Sequence, residues 1–200
     1  MNLANKITLT RIMLVPVFIT FMCLDGFFMR IAALFVFIIA SISDSLDGYV
    51  ARKYGTVTDF GKFIDPLADK LLVSSALIIF VEIKEMSIPS WLVIIIISRE
   101  FIITGLRSLA ATKNIIIPAA MSGKFKTFSQ VTTIITILVI LSINSFLSEF
   151  MPNAASLAHY FRSFVKVIPF SLMFITAILT LVSGLSYIFK HKYLFFEKSI

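Results

Sequence analysis

Four aspartates, Asp44, Asp47, Asp65 and Asp69, stand within 26 residues at the ends of two long apolar segments. An Asp at the centre of a bilayer-spanning helix costs about 2.5–3.5 kcal/mol on insertion scales, so four of them in so short a stretch require a specific reason. Their spacing supplies one. Asp44 and Asp47 are three apart and Asp65 and Asp69 four apart, so each pair shares one face of a helix. The stretch 53–58, with Gly55 as a left-handed C-cap, is expected to turn the chain so that the two faces meet.

Facing carboxylates repel and raise one another's pKa values unless a cation neutralises them. No His or Cys lies nearby, so every donor is a hard oxygen, which selects magnesium, calcium or manganese over zinc or copper. Four carboxylates suit two divalent cations about 3.5–4 Å apart, the arrangement that clamps a phosphoryl group. Gly48 leaves room for a ligand, Ala51 lets two helices approach closely, and Arg52 offers a planar fork to phosphate. The competing reading of the acidic stretch is a structural carboxylate cluster or an ion pathway through a transporter.

A chain of 200 residues that is 58% hydrophobic, with 21 Phe, carries more apolar surface than a soluble core of this size can use, and reads as an integral membrane protein. Apolar stretches recur at 7–24, 31–43, 71–83, 88–98 joined to 101–111, 128–147 and 167–189. With roughly 20 residues needed per span, they give six transmembrane helices, all-α, in one domain over residues 1–200. The second and third must run on through the aspartate motif. Of the 18 Lys and Arg, all but Arg30, Lys84, Arg162 and Lys166 fall towards the side of the N-terminus. By the positive-inside rule that side is cytoplasmic, and the polar cleft with the active site faces it. The net charge of +7 suits an anionic membrane surface; no basic domain stands apart to bind nucleic acid.

Cys23 reads as a small core residue, and His159 and His191, placed in a loop and a tail, receive no role. The first apolar stretch lacks a small-residue cleavage site and is expected to remain as a span. Asn5 is expected to cap the first helix, and Pro66 to fall in an early turn of the third. Trp91 reads as an interfacial anchor. Residues 147–164 read as an outer loop, and the last span with its basic tail informs topology only.

A second polar block lies at Arg99, Glu100 and Arg107. Eight residues carry a helix about 12 Å along and roughly 80° around, so both arginines can approach one cleft. Two guanidinium forks suit the phosphate of a small acceptor, against the alternative of snorkelling and an Arg–Glu pair. Lys124 and Lys126, on a Gly-led turn, are either an anion site or a marker of the inner membrane face.

The pattern Asp44-x2-Asp47-Gly48-x2-Ala51-Arg52-x8-Gly61-x3-Asp65-x3-Asp69 resembles, without gap or substitution, the motif of the CDP-alcohol phosphotransferase family. The blocks at 99–107 and 122–127 are similar to the branch that uses glycerol 3-phosphate, over roughly residues 1–130. The resemblance implies transfer of a phosphatidyl group from CDP-diacylglycerol to glycerol 3-phosphate in a bacterial cytoplasmic membrane, with release of CMP. It implies two cations, magnesium or else manganese, one held by Asp44, Asp47 and Asp65 and the other by Asp44, Asp65 and Asp69. Asp69 would also be the general base. It places Asn5, Gly48, Arg52 and Thr58 on the cytidine diphosphate and Arg99, Arg107, Lys124 and Lys126 on the acceptor phosphate, and it admits a homodimer. This chain has Ala4 where the branch usually has Pro. Another acceptor (serine, an inositol phosphate or phosphatidylglycerol) is the alternative within the family. A divalent-cation transporter is the alternative outside it, although neither broken helices nor a two-half repeat is visible.

Overall fold

Apolar surroundings offer the backbone no partners, so each membrane segment must satisfy its own N–H and C=O groups, and a helix does so within one segment. A computed structural model describes residues 3–54, 59–112, 121–151 and 155–190, and among these every long element is helical. The helices are α1 (Leu3–Cys23), α2 (Phe27–Tyr54), α3 (Asp59–Glu82), α4 (Ser90–Thr112), α5 (Met121–Phe150) and α6 (Ala155–Lys190), with a 3-10 turn at Lys84–Met86. Three contain stretches long and apolar enough to cross a membrane: Lys6–Cys23, Phe125–Phe150 and Ser163–Lys190. The apolar part of α2 is shorter, Phe27–Ser43, because the helix continues into the aspartate motif. α3 and α4 have 24 and 23 residues, or roughly 35 Å at 1.5 Å per residue, enough for a 30 Å hydrocarbon layer. What interrupts their apolar runs is charge.

The helices form a ring in which α1 packs on α2, α2 on α5, α5 on α6, α6 on α4, α4 on α3, and α3 back on α1. Alanines permit the close approaches: Ala33, Ala40 and Ala76 are fully buried. Around them pack Phe18, Phe37, Phe80, Leu92, Ile96, Ile134 and Ile137, with the rings of Phe18 and Phe37 5.8 Å apart. A buried hydroxyl pair, Thr133 and Thr176 at 2.9 Å, ties α5 to α6.

The tight turn from α1 to α2 depends on Gly26, whose φ of +117° a side chain would strain. Arg30 donates to the carbonyl of Met22 at 2.8 Å, closing the end of α1. Across the bundle, Glu149 of α5 accepts from the Phe27 N–H at 3.0 Å, placing a carboxylate at the positive end of α2.

Several expectations change. Asn5 lies inside the first turn of α1, since Leu3 and Ala4 already favour helix. Pro66 is the eighth residue of α3, because that helix starts at Asp59 within the motif. Cys23 is exposed at the end of α1 and is no core residue, although the preceding Met22 is buried. The expected loop 147–164 is mostly helix, with α5 reaching Phe150 and α6 starting at Ala155, so His159 is helical. Polar residues end an apolar run without ending a helix. Gly55, Thr58 and His191 lie outside the described residues.

Candidate active site

At the end of the bundle where α2 gives way to α3, the apolar packing opens into a cavity of about 440 Å³. α3 contributes Asp69 and Lys70, α4 contributes Arg99, Glu100 and Arg107, α5 contributes Lys126 and Gln130, and α6 contributes Ser183 and Tyr187. Helical periodicity explains the convergence. Arg99 and Arg107 are two turns apart on α4, and Lys126 and Gln130 one turn apart on α5, so each pair meets the same wall.

Glu100 is the hub of the charges. It accepts from Lys70 at 3.1 Å, pairs with Lys126, and lies 3.6 Å from Arg99. Lys70 is also 3.6 Å from Asp69, so an unbroken series of ion pairs joins Asp69 to Arg99. Lys126 is only 3% exposed, which makes its pairing with Glu100 a condition of its burial. Among the described residues of its wall, four basic side chains (Lys70, Arg99, Arg107 and Lys126) face two carboxylates (Asp69 and Glu100), a formal excess of two positive charges. A cavity so charged favours a dianion.

Two buried donors in the wall have no hydrogen-bond partner among the described residues, Nε of Arg99 and Nε2 of Gln130. Asp69 also borders a second cavity of about 220 Å³, lined by Arg11, Ser41 and Thr127 among others. A carboxylate between two cavities can touch a group arriving from either.

Of the residues singled out from the sequence, Asp69, Arg99, Arg107 and Lys126 therefore share one cavity. Asp44, Asp47, Gly48 and Arg52 are carried by α2, Asp65 by α3, Asn5 by α1 and Lys124 by α5, and their side chains lie outside the described residues. Lys70, Gln130 and the α6 wall were not anticipated as parts of a site. In the sequence Lys70 stands beside Asp69, where it signals no more than charge compensation, and nothing in the apolar run of α6 marks Ser183, Gly184 or Tyr187.

The sequence profile of the CDP-alcohol phosphatidyltransferases matches residues 1–182. The chain belongs to that family. Among its relatives is the CDP-diacylglycerol--glycerol-3-phosphate 3-phosphatidyltransferase of Bacillus subtilis, 47% identical over 69% of this chain and 77% of that protein. The Rickettsia typhi protein of the same name is 34% identical over 93% and 94%. That of Shigella flexneri is 31% identical over 94% and 93%.

CDP-alcohol phosphatidyltransferases use divalent cations. Asp69 fits that use: its only ion-pair partner among the described residues is Lys70 at 3.6 Å, and its side chain is 42% exposed, so carboxylate lone pairs remain available. The other motif aspartates are carried by α2 (Asp44 and Asp47) and α3 (Asp65), and all are hard oxygen donors. Among the described residues alone, no group of three metal-ligating side chains forms.

Proposed function

We propose that this membrane enzyme transfers a phosphatidyl group from CDP-diacylglycerol to glycerol 3-phosphate, giving phosphatidylglycerol phosphate and CMP. The observation that carries the choice of a phosphorylated acceptor is the cavity beside Asp69, whose described wall has a formal excess of two positive charges from two arginines and two lysines over two carboxylates. A phosphate monoester carries −1.5 to −2 near neutral pH, roughly the complementary charge. Zwitterionic serine would leave two of those positive charges without a counter-charge, and phosphatidylglycerol, a monoanion, would leave one. The names of the relatives support the same reading.

Arg99 and Arg107 would hold the acceptor phosphate through their planar forks, with Lys126 and Lys124 adding charge. That grip leaves the glycerol end free to lie towards Asp69. Asp69 takes the proton of the attacking hydroxyl as its oxygen bonds to the phosphatidyl phosphorus. The bond from that phosphorus to the CMP oxygen breaks, and CMP leaves with the electron pair. Gly48, Arg52, Thr58 and Asn5 would hold the cytidine diphosphate. Asp44, Asp47, Asp65 and Asp69 would hold two divalent cations, magnesium or else manganese, which supply charge neutralisation at the pyrophosphate when bound. The positive-inside pattern supports a cleft open to the cytoplasm of a bacterial cell, in a single domain spanning residues 1–200.

The test uses purified protein in detergent with magnesium and CDP-diacylglycerol, following CMP release against glycerol 3-phosphate, inositol phosphate, serine and phosphatidylglycerol. Selective release with glycerol 3-phosphate is expected. Equal or greater release with another acceptor would overturn the assignment.

A further inference from the structure

Long arginine side chains on one helix are not fixed by that helix alone. Here α6 fixes them. A Cβ added at Gly184 would lie 2.8 Å from Cγ of Arg99 and 3.3 Å from its Nε. Cγ is close to the backbone end of the side chain, so relieving that contact means moving the whole side chain rather than its tip. One residue earlier, the Ser183 hydroxyl accepts from Nη2 of Arg99 at 2.9 Å. One turn beyond Ser183, the Tyr187 hydroxyl accepts from Nε of Arg107 at 3.3 Å, and the guanidinium carbon of Arg107 stands 5.5 Å from the Tyr187 ring centroid.

A slot, a hydroxyl and an aromatic face thus come from five consecutive residues of α6, and all act on the two arginines of α4. Their chemistry matters as much as their place. Neutral hydroxyls orient a guanidinium without cancelling its charge, whereas a carboxylate in the same positions would compete with the ligand. Nε of Arg99 is buried without a hydrogen-bond partner among the described residues.

We propose that Ser183, Gly184 and Tyr187 are positioning residues of the acceptor site. Gly184 provides the slot that sets the direction of Arg99, and the two hydroxyls hold both guanidinium groups ready for one phosphate. The proposal rests on the reading that Arg99 and Arg107 bind the acceptor phosphate.

The test compares the full chain with Gly184→Ala, Ser183→Ala, Arg99→Ala and the Gly184→Ala/Arg99→Ala double variant. KM for glycerol 3-phosphate, KM for CDP-diacylglycerol and melting temperature in detergent are measured for each. Gly184→Ala is expected to raise the acceptor KM roughly tenfold or more, the worth of one charge-assisted hydrogen bond, while the donor KM and the melting temperature hold. In the Arg99→Ala background it should add nothing further, because its effect runs through Arg99.

Equal rises for both substrates, or full additivity in the double variant, would overturn the proposal. If Arg99→Ala raises the acceptor KM but Gly184→Ala does not, positioning fails and the acceptor site stands. If Arg99→Ala leaves that KM unchanged, the acceptor reading has failed and positioning falls with it. Should Gly184→Ala not fold, Ser183→Ala adds no bulk and carries the same test, with a smaller selective rise expected that vanishes in the Arg99→Ala background.

Discussion

The two ends of the helix ring are built on opposite rules. Towards the far end, α1, α2, α3 and α5 bring Phe18, Phe37, Phe80, Ile137 and Leu138 together with almost no exposed surface, in the dense packing expected of an interior. At the motif end, α3, α4, α5 and α6 stand around a 440 Å³ cavity with six charged side chains among the described residues of its wall. α3 and α5 belong to both regions. The difference teaches where rigidity comes from: by shape at one end, and at the other by ion pairs converging on Glu100. A packed core holds itself, whereas the cavity keeps Lys70 and Lys126 in place through Glu100 and its two arginines with help from α6.

The sharpest way to break that contrast is to alter one charge without altering shape. Asp69→Asn should lower turnover by about 10²–10⁴, the usual worth of a general base, at every magnesium concentration and with CDP-diacylglycerol still bound. Recovery at high magnesium would make Asp69 a ligand only.

Next in size, Arg107→Ala should raise KM for glycerol 3-phosphate roughly 10–150-fold, the equivalent of about 1.5–3 kcal/mol, and that for CDP-diacylglycerol far less. Equal effects on both substrates would mean that the cavity had lost its form.

A smaller change is expected from Gln130→Leu. If the free amide donor meets the acceptor, its loss should raise the acceptor KM roughly 2–12-fold. A higher melting temperature with unchanged kinetics would instead show a donor buried at a cost and unused.

On activity the least effect belongs to the far end. Phe37→Ala should leave both KM values nearly unchanged for the folded fraction while lowering the melting temperature markedly. In soluble cores the same truncation costs about 3–5 kcal/mol. A selective rise in either KM would show the two ends to be coupled.

Legibility in the sequence divides along the same line. The helices were readable because apolar runs of span length have no other stable use, and the acidic motif because carboxylates at that depth require a reason. Arg99, Arg107 and Lys126 were readable as charges out of place. α6 was not, since Ser, Gly and Tyr are ordinary in such helices, and Gly184 acquires meaning only with Arg99 laid against it. Gln130 was hidden for a related reason: an uncharged amide in an apolar run looks like any tolerated polar residue. The start of α6 was misread because His159, Arg162 and Lys166 break the apolar run yet sit comfortably on a helix.

On α5, Phe125 and Phe128 are each 72% exposed and flank the almost wholly buried Lys126. Two exposed rings at the start of a stretch long and apolar enough to cross a membrane suit contact with lipid, and Phe128 also lines the cavity, so its mouth would open beside the lipid leaflet. A lipid substrate would then arrive by sliding sideways within its own leaflet without leaving it. Its encounter rate is a two-dimensional quantity, so turnover at fixed total lipid should track the mole fraction of CDP-diacylglycerol in the surface, whereas glycerol 3-phosphate, arriving through water, should follow its ordinary bulk concentration.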